Sequence, residues 1–315
     1  MRAHPWGATL PEKPGSCGVA DCGDYNSKTH GDDKLDFRSI TAGPAARPGI
    51  LLTNDDGIQS AGLWSAAEAL SGLGEVTVVA PGIPSSGTGR GHPGSTSGRI
   101  EVLERTYGGA NHPVYSVDGT PAQAVLFALL EILPVPPSLV VAGINYGENV
   151  GFGITISGTI GAVLEAAAAG IRALAVSLEM PLEGHRDSNL AFDFSTAVRF
   201  TERFARILLT LTLPPDAPAL KVDVPSGATA GTPWKLTRLS RTRYYVPERP
   251  HRKSFSDPAQ IPYQIVFDPR EAEMDSDVFA LHVERKVSVT PLSLDLTSRA
   301  DFAALEKALR GAGNW

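Results

Sequence analysis

Cysteine is nearly absent: Cys17 and Cys22 are the only two in 315 residues. They sit in a Gly/Asp/Ser-rich segment and their four-residue gap could seed half a metal site, but no second Cys/His pair with zinc-like spacing follows, so the two read as incidental reduced thiols. An excess of positive charge is also missing. The net charge is −6 and the pI about 5.7, so there is no basic footprint for holding a long nucleic acid by phosphate neutralisation. The opening MRAHPWGATL lacks an apolar core followed by a small-residue cleavage site, and no later apolar run reaches bilayer length. The expectation is a cytoplasmic protein without a membrane partner. What is present is 42% hydrophobic residues at a mean hydropathy of −0.04, enough for a substantial core.

Residues 1–48 are rich in Pro, Gly, Asp and Lys and show almost no apolar periodicity, the composition of a flexible N-terminal extension. From Gly49 the texture changes. GILLTN and EVTVVAP read as buried strands flanking AGLWSAAEALSGLG, where Leu63, Ala66, Ala67 and Leu70 have helical spacing. A helix over about Pro121 to Leu133 precedes the strand SLVVAGIN; ISGTIGAVLEAAAAG reads as the next helix and IRALAVSL as the next strand. A helix over Phe192 to Leu211 leads to the strand ALKVDVP. Repeated β-α-β units predict an α/β fold with an open, mostly parallel sheet and helices on both faces. After Pro225 the pattern breaks into short strand candidates, WKLTRLS, YQIVF, VFALHV and KVSVTPLSL, between Pro- and charge-rich loops. These predict a β-rich excursion over roughly 226–297, closed by a helix near Asp301 to Leu309.

Ligands of open parallel sheets bind beyond the carboxyl ends of the strands, and three polar loops fall there. In Asn54-Asp55-Asp56-Gly57, adjacent carboxylates suit a hard divalent cation, while Asp-Asp-Gly is equally a common surface turn. The loop Gly82 to Gly98 carries Ser85, Ser86, Gly87, Thr88, Arg90 and His92. Its hydroxyls and backbone N–H groups can ligate metal or phosphate, and its composition fits a plain loop as well. The run Gly143 to Gly151 contains Asn145 and leads into Ser157-Gly158-Thr159 at a helix entrance, which suits a phosphate or makes Ser157 an N-cap. No P-loop or dinucleotide fingerprint is present. All three loops follow strands of one sheet, so they can converge on one crevice.

The runs ILLTNDDGI, Ser86-Gly87, DGTPAQAV, VVAGINYGENVG, ISGTIGAVLEAAAAGI, LAVSL and VSVTPLSLDLT occur in this order from Gly49 to Thr297 and resemble the SurE family of stationary-phase survival phosphatases. The resemblance implies a Rossmann-like core with a β-hairpin and C-terminal arm for oligomerisation, as a homodimer or homotetramer. It also implies a metal-dependent phosphomonoesterase acting on nucleoside 5′- or 3′-monophosphates. Carried over by motif, Asp55, Asp56, Ser86 and Asn145 would hold one divalent ion, Mg²⁺ or Mn²⁺, with Asp55 and Asp56 catalytic. Asn54, Gly87, Ser157, Gly158 and Thr159 would lie against the substrate phosphate.

This sequence departs from the family pattern in the substrate-facing loops. The usual Asp-Arg/Lys-x-x-Ser-Gly reads Gly82-Ile83-Pro84-Ser85-Ser86-Gly87, a serine two residues on is Gly89, and Thr-Pro-x-Asp-Cys reads Thr120-Pro121-Ala122-Gln123-Ala124. Water is the expected nucleophile, with an aspartyl-phosphate on Asp55 left open. A competing reading keeps metal and nucleotide binding but has weakened catalysis.

Overall fold

The structure is a computed structural model and describes residues 47–182 and 192–312. The expected N-terminal extension, with Cys17 and Cys22, lies outside the described residues except for Arg47 and Pro48, where the Pro48 carbonyl already accepts the Glu75 N–H at 2.9 Å.

Eleven strands and six α-helices are formed among the described residues, with a π turn and a 3-10 turn besides. The first half of the chain runs β1 (Gly49–Thr53), α1 (Ala61–Ser71), β2 (Glu75–Pro81), β3 (Ile100–Tyr107), β4 (Ala110–Val117), α2 (Pro121–Phe127) and β5 (Leu139–Tyr146). It continues with α3 (Gly158–Ala168), β6 (Ala173–Leu178), α4 (Ser195–Thr210), β7 (Ala219–Val224), β8 (Trp234–Leu236), β9 (Tyr245–Pro247), β10 (Tyr263–Ile265), α5 (Asp277–His282), β11 (Val287–Leu292) and α6 (Phe302–Gly311). Nine strands form one sheet in the order β3-β4-β2-β1-β5-β6-β7-β11-β8. It is parallel throughout except where β3 meets β4 and β7 meets β11.

The central strands are continuous apolar runs because both of their faces are covered. In β1, Ile50 and Leu52 join the core under α1 and α4, while Leu51 faces the core under α2 and α3. The same alternation separates Val141 from Val140 in β5 and Val176 from Ala175 in β6. One strand breaks the rule: Lys221 and Asp223 of β7 are fully buried beside Leu220 and Val222.

Several expectations are corrected. VFALHV is helix α5, not a strand, because Ser276 caps it by accepting the Phe279 N–H at 3.2 Å and Val278 and Leu281 fall on its buried side. The excursion expected over 226–297 shrinks to the β9–β10 hairpin, since β8 and β11 extend the main sheet. The helix expected to reach Leu133 is α-helical only to Phe127 and finishes as a π turn over Ala128–Ile132. The hairpin β3–β4, in a stretch without a sequence assignment, turns at Gly108-Gly109, both at positive φ.

Glu179, just past β6, ties the far end of the sheet together. It accepts from Ser226 N at 2.6 Å and from Arg285 Nη2 at 2.7 Å, and lies 3.1 Å from His282 Nδ1. Burial opposes its charge, but these donors outweigh it and hold the carboxyl well below its ordinary value of 4.5. Because the folded-state pKa is depressed, the stability it contributes is complete above the unfolded value and is lost as the pH falls below it. Glu179→Gln should therefore cost about 2 kcal/mol at neutral pH. In thermal melts the gap between wild type and variant should narrow steadily below about pH 4.5.

Candidate functional site

β1 ends in Asn54-Asp55-Asp56-Gly57, and its neighbours in the sheet are β2 on one side and β5 on the other. The chain passes from β1 to β2 in one direction and reaches β5 only later, so the loops after these strands diverge and leave a crevice at the switch point. Gly57, at φ +89°, lets the turn close. The Asn54 side chain is fully buried and donates to the Gly57 carbonyl at 3.0 Å, while its Oδ1 has no hydrogen-bond partner. The turn is fixed to the next loop by Ser85 N donating to the Asp55 carbonyl at 2.7 Å.

Asp55 is 4% exposed and Asp56 half-buried. Burial pushes the Asp55 carboxyl up from its ordinary range, offset by the Thr159 hydroxyl and by the N–H groups of Gly158 and Thr159 at the entrance to α3. Burial, then the charge of Asp55, raises Asp56 well above the ordinary range, with Tyr146 N donating to its Oδ2 at 3.2 Å. No lysine, arginine or histidine among the described residues pairs with either carboxylate. Two neighbouring carboxylates that are largely buried and lack a cationic partner stay ionised only if a cation joins them.

The third contributor is β5. Its register shifts between Ala142 and Asn145, with Gly143 at φ +130°, and this irregularity re-aims the strand end. Asn145 Oδ1 lies 3.3 Å from Thr159 Oγ1, and its Nδ2 donates to the Gly147 carbonyl at 2.7 Å. That leaves an oxygen of Asn145 beside the carboxylates. Ser86 and Gly87, on the loop after β2, line the same cavity as Asn145.

Asp55, Asp56, Ser86, Gly87, Asn145 and Ser157 line one cavity of about 490 Å³. Asn54 holds the turn behind it. Gly158 and Thr159, expected against the phosphate, do not line it: they pack behind Asp55, where a Cβ on Gly158 would come 2.8 Å from the Asp55 Cβ. Ser157 does both things its spacing allows, lining the cavity and capping α3 by accepting the Ile160 N–H at 3.2 Å. His92 is not at the cavity; with Arg90 it pairs with Glu165 of α3, at 3.3 and 2.7 Å. Among the described residues, no three His, Cys, Asp or Glu side chains gather as a metal cluster. The donor set is two carboxylates with neutral oxygens.

Sequence reasoning missed the far wall. Arg243, Tyr245, Ile261 and Tyr263 of the β9–β10 hairpin line the same cavity. Tyr245 and Tyr263 meet edge to face at 5.5 Å, and Tyr245 donates its hydroxyl to the Glu148 carbonyl at 2.7 Å. The alternating YYV within RTRYYVPERP was the available signal.

The departing loop residues have local explanations. Gly89, at φ +53°, lies against Thr155, where a Cβ would come 2.8 Å from the carbonyl oxygen, and its N–H donates to the Ile156 carbonyl at 2.9 Å. A Cβ on Gly161 of α3 would overlap the Gly89 carbonyl. Gln123 completes a capping box with Thr120, and Thr120 Oγ1 donates to the Gly91 carbonyl at 2.8 Å. The loop is thus held to α2 by Thr120 and to α3 by the close approach of Gly89 and Gly161. Ile83, at the position the resemblance pairs with Arg or Lys, is 75% exposed.

The described residues thus form an open α/β sheet with paired carboxylates and a helix entrance at its switch point. Residues 50–246 match the family described as Survival protein SurE. "5′-nucleotidase SurE" of Thermococcus gammatolerans is 42% identical over 267 residues, covering 83% of this chain and 96% of that one. The protein of the same name from Archaeoglobus fulgidus is 40% identical, covering 82% and 95%. The crystal structure of the SurE protein from Aquifex aeolicus superposes with a TM-score of 0.65 at 30% identity, covering 84% of this chain and all of that one. The chain belongs to the SurE family.

Replacing Gly161 by Ala should push the 82–98 loop off α3. We expect a loss of about 1–3 kcal/mol in urea denaturation together with faster proteolysis inside that loop; a variant with wild-type behaviour in both would show that the loop does not depend on this contact.

Proposed function

We propose that the chain is a phosphomonoesterase that hydrolyses nucleoside 5′-monophosphates, and 3′-monophosphates as a secondary substrate, with one divalent cation, Mg²⁺ or Mn²⁺. The observation that carries this reading is the Asp55–Asp56 pair, largely buried at the end of the central strand with no cationic side chain against it among the described residues. Relatives bearing the name 5′-nucleotidase over almost their whole length support the same substrate class.

The donor set fits a hard cation: Asp55 and Asp56 supply charge, and Ser86 Oγ and Asn145 Oδ1 are neutral oxygens of the kind such ions accept. When bound, that ion supplies Lewis-acid stabilisation of charge on the phosphoryl oxygens and acidifies a coordinated water. The residues around it orient the substrate. Ser86, Gly87 and Ser157 offer hydroxyl and backbone donors to the phosphate, and the first turn of α3 presents its positive end to the same place. Thr159 donates to Asp55 and so fixes which oxygen of that carboxylate faces the crevice. With Asp55 engaged by Thr159, water is the nucleophile. A cavity of about 490 Å³ exceeds what a phosphate fills, and its tyrosine-lined end suits a nucleoside.

Asp56→Asn should remove metal-restored hydrolysis of nucleoside monophosphates by at least about a hundredfold while leaving the thermal melt near wild type. Phosphate release from AMP and p-nitrophenyl phosphate, with EDTA and then with added Mg²⁺ or Mn²⁺, measures it. Release that persists at the wild-type rate would refute the site; nucleotide binding without release in the wild-type protein would favour the weakened-catalysis reading.

The oligomer is proposed on a separate feature. Helix α6 buries no residue, and Phe302, Leu305 and Leu309 form an exposed apolar stripe at i, i+3 and i+7. An arm of this kind packs on a second copy, giving a homodimer or homotetramer. Ending the chain after Thr297 should lower the mass found by light scattering, and an unchanged mass would show that the arm is not the contact.

A further inference from the structure

We infer that Lys221 is the positioning residue of the crevice wall: as the counter-ion shared by Asp223 and Asp277, it lets both carboxylates stay buried while they hold the backbone of Asn149 and Gly151. Lys221, Asp223 and Asp277 are all 0% exposed. Lys221 Nζ pairs with Asp223 on its own face of β7, two residues on, and lies 3.1 Å from Asp277 at the start of α5.

Each carboxylate spends its remaining capacity on the loop after β5. Asp223 Oδ1 accepts the Asn149 N–H at 2.8 Å, and Asp277 Oδ2 accepts the Gly151 N–H at 3.0 Å. Asn149 Nδ2 donates to Ser177 Oγ at 2.9 Å. Asp277 Oδ1 also accepts the Ser240 N–H at 2.9 Å, just before the hairpin wall. Immediately before the two anchored amides, Glu148 takes the Tyr244 hydroxyl on Oε1 at 2.6 Å. Gly147, Glu148 and Asn149 line the cavity. The buried charges therefore set both the β5 loop and the root of the hairpin without touching the ligand space themselves.

Without Lys221, two carboxylates would share a dry site with no cation, and that site is relieved by taking up a proton or by admitting water as the loop they hold moves. Neutralising Asp223 at the same time removes the conflict. The carboxamide introduced by Asp223→Asn still offers an oxygen to the Asn149 N–H, and Asp277 keeps its backbone donors. The effects of the two substitutions should thus be strongly non-additive.

The consequence for catalysis rests on the phosphomonoesterase reading; the consequence for the loop does not. In Lys221→Met, hydrogen exchange of the 147–151 amides should accelerate about tenfold relative to the rest of the sheet, and KM for AMP should rise about tenfold with a smaller change in kcat. In Lys221→Met/Asp223→Asn both should return towards wild type. A uniform rise in exchange across the protein, or a double variant as loose in the loop as the single one, overturns the inference. Should Lys221→Met fail to fold, the double variant decides alone: a folded protein with wild-type loop protection supports the inference, and a loose loop or failure to fold overturns it. Absence of turnover in the wild-type protein would count against the phosphatase reading only, since the exchange measurement still tests the loop.

Discussion

Two carboxylates side by side at the end of a buried strand form an arrangement that a protein chain does not hold without compensation. Asp55 and Asp56 have Gly57 to turn the backbone, Thr159 to bond one oxygen, and the first turn of α3 to place partial positive charge behind them. None of these cancels a full charge. Every neighbouring element is placed as though completing that compensation: β2 brings the Ser86 loop, the irregular end of β5 brings Asn145, and α3 comes so close that position 158 has no room for a Cβ. The parallel order around β1 follows from the same requirement, because only at the switch point do loops from both sides converge on one strand end.

A second set of charges solves the opposite problem. Lys221, Asp223 and Asp277 neutralise one another except for one unit of negative charge, and that unit is absorbed by backbone N–H groups of the 149–151 loop, Ser240 and Val278. The carboxylates at the crevice have no cationic side chain against them among the described residues, whereas those beneath its wall carry their cation with them. The presence or absence of an internal lysine is what separates the two largely buried carboxylate pairs.

The sequence made the core of this legible because its signals are redundant there. Strands β1, β2, β5, β6 and β7 are short apolar runs between helices with 3.6-residue spacing, and both observations demand the same parallel sheet. Legibility failed where a segment is half exposed or where two periods fit. The charges Glu101, Glu104 and Arg105 dilute the alternation of β3, although Gly108-Gly109 marks the hairpin. Val278 to Val283 is too short to distinguish strand from helix by pattern, and the decision belongs to the Ser276 cap. At the site, the ligand types at the strand ends could be read, but Arg243, Tyr245 and Tyr263 could not, because they reach the crevice from roughly a hundred residues further on by way of a hairpin. The charges in ALKVDVP were visible within a buried strand, and two charges at i and i+2 on one face call for a partner. Their partner, Asp277, is set by tertiary packing alone.

The cavity is chemically divided, and that division constrains what it can hold. Asp55 and Asp56 make part of its lining anionic, and Tyr245, Tyr263 and Arg243, the one cationic side chain among its lining residues, make another part aromatic. A doubly charged phosphate approaching the carboxylate end alone would meet repulsion from Asp55 and Asp56, so favourable binding there requires a cation between them. A ligand that reaches the tyrosine end gains aromatic contact there without adding to that repulsion. A ligand with a compact anionic head and a planar apolar body satisfies both ends at once, which neither inorganic phosphate nor an uncharged nucleoside does. The loop that brings Gly147, Glu148 and Asn149 to this cavity is held from beneath by Asp223 and Asp277, so its position does not depend on what the cavity holds.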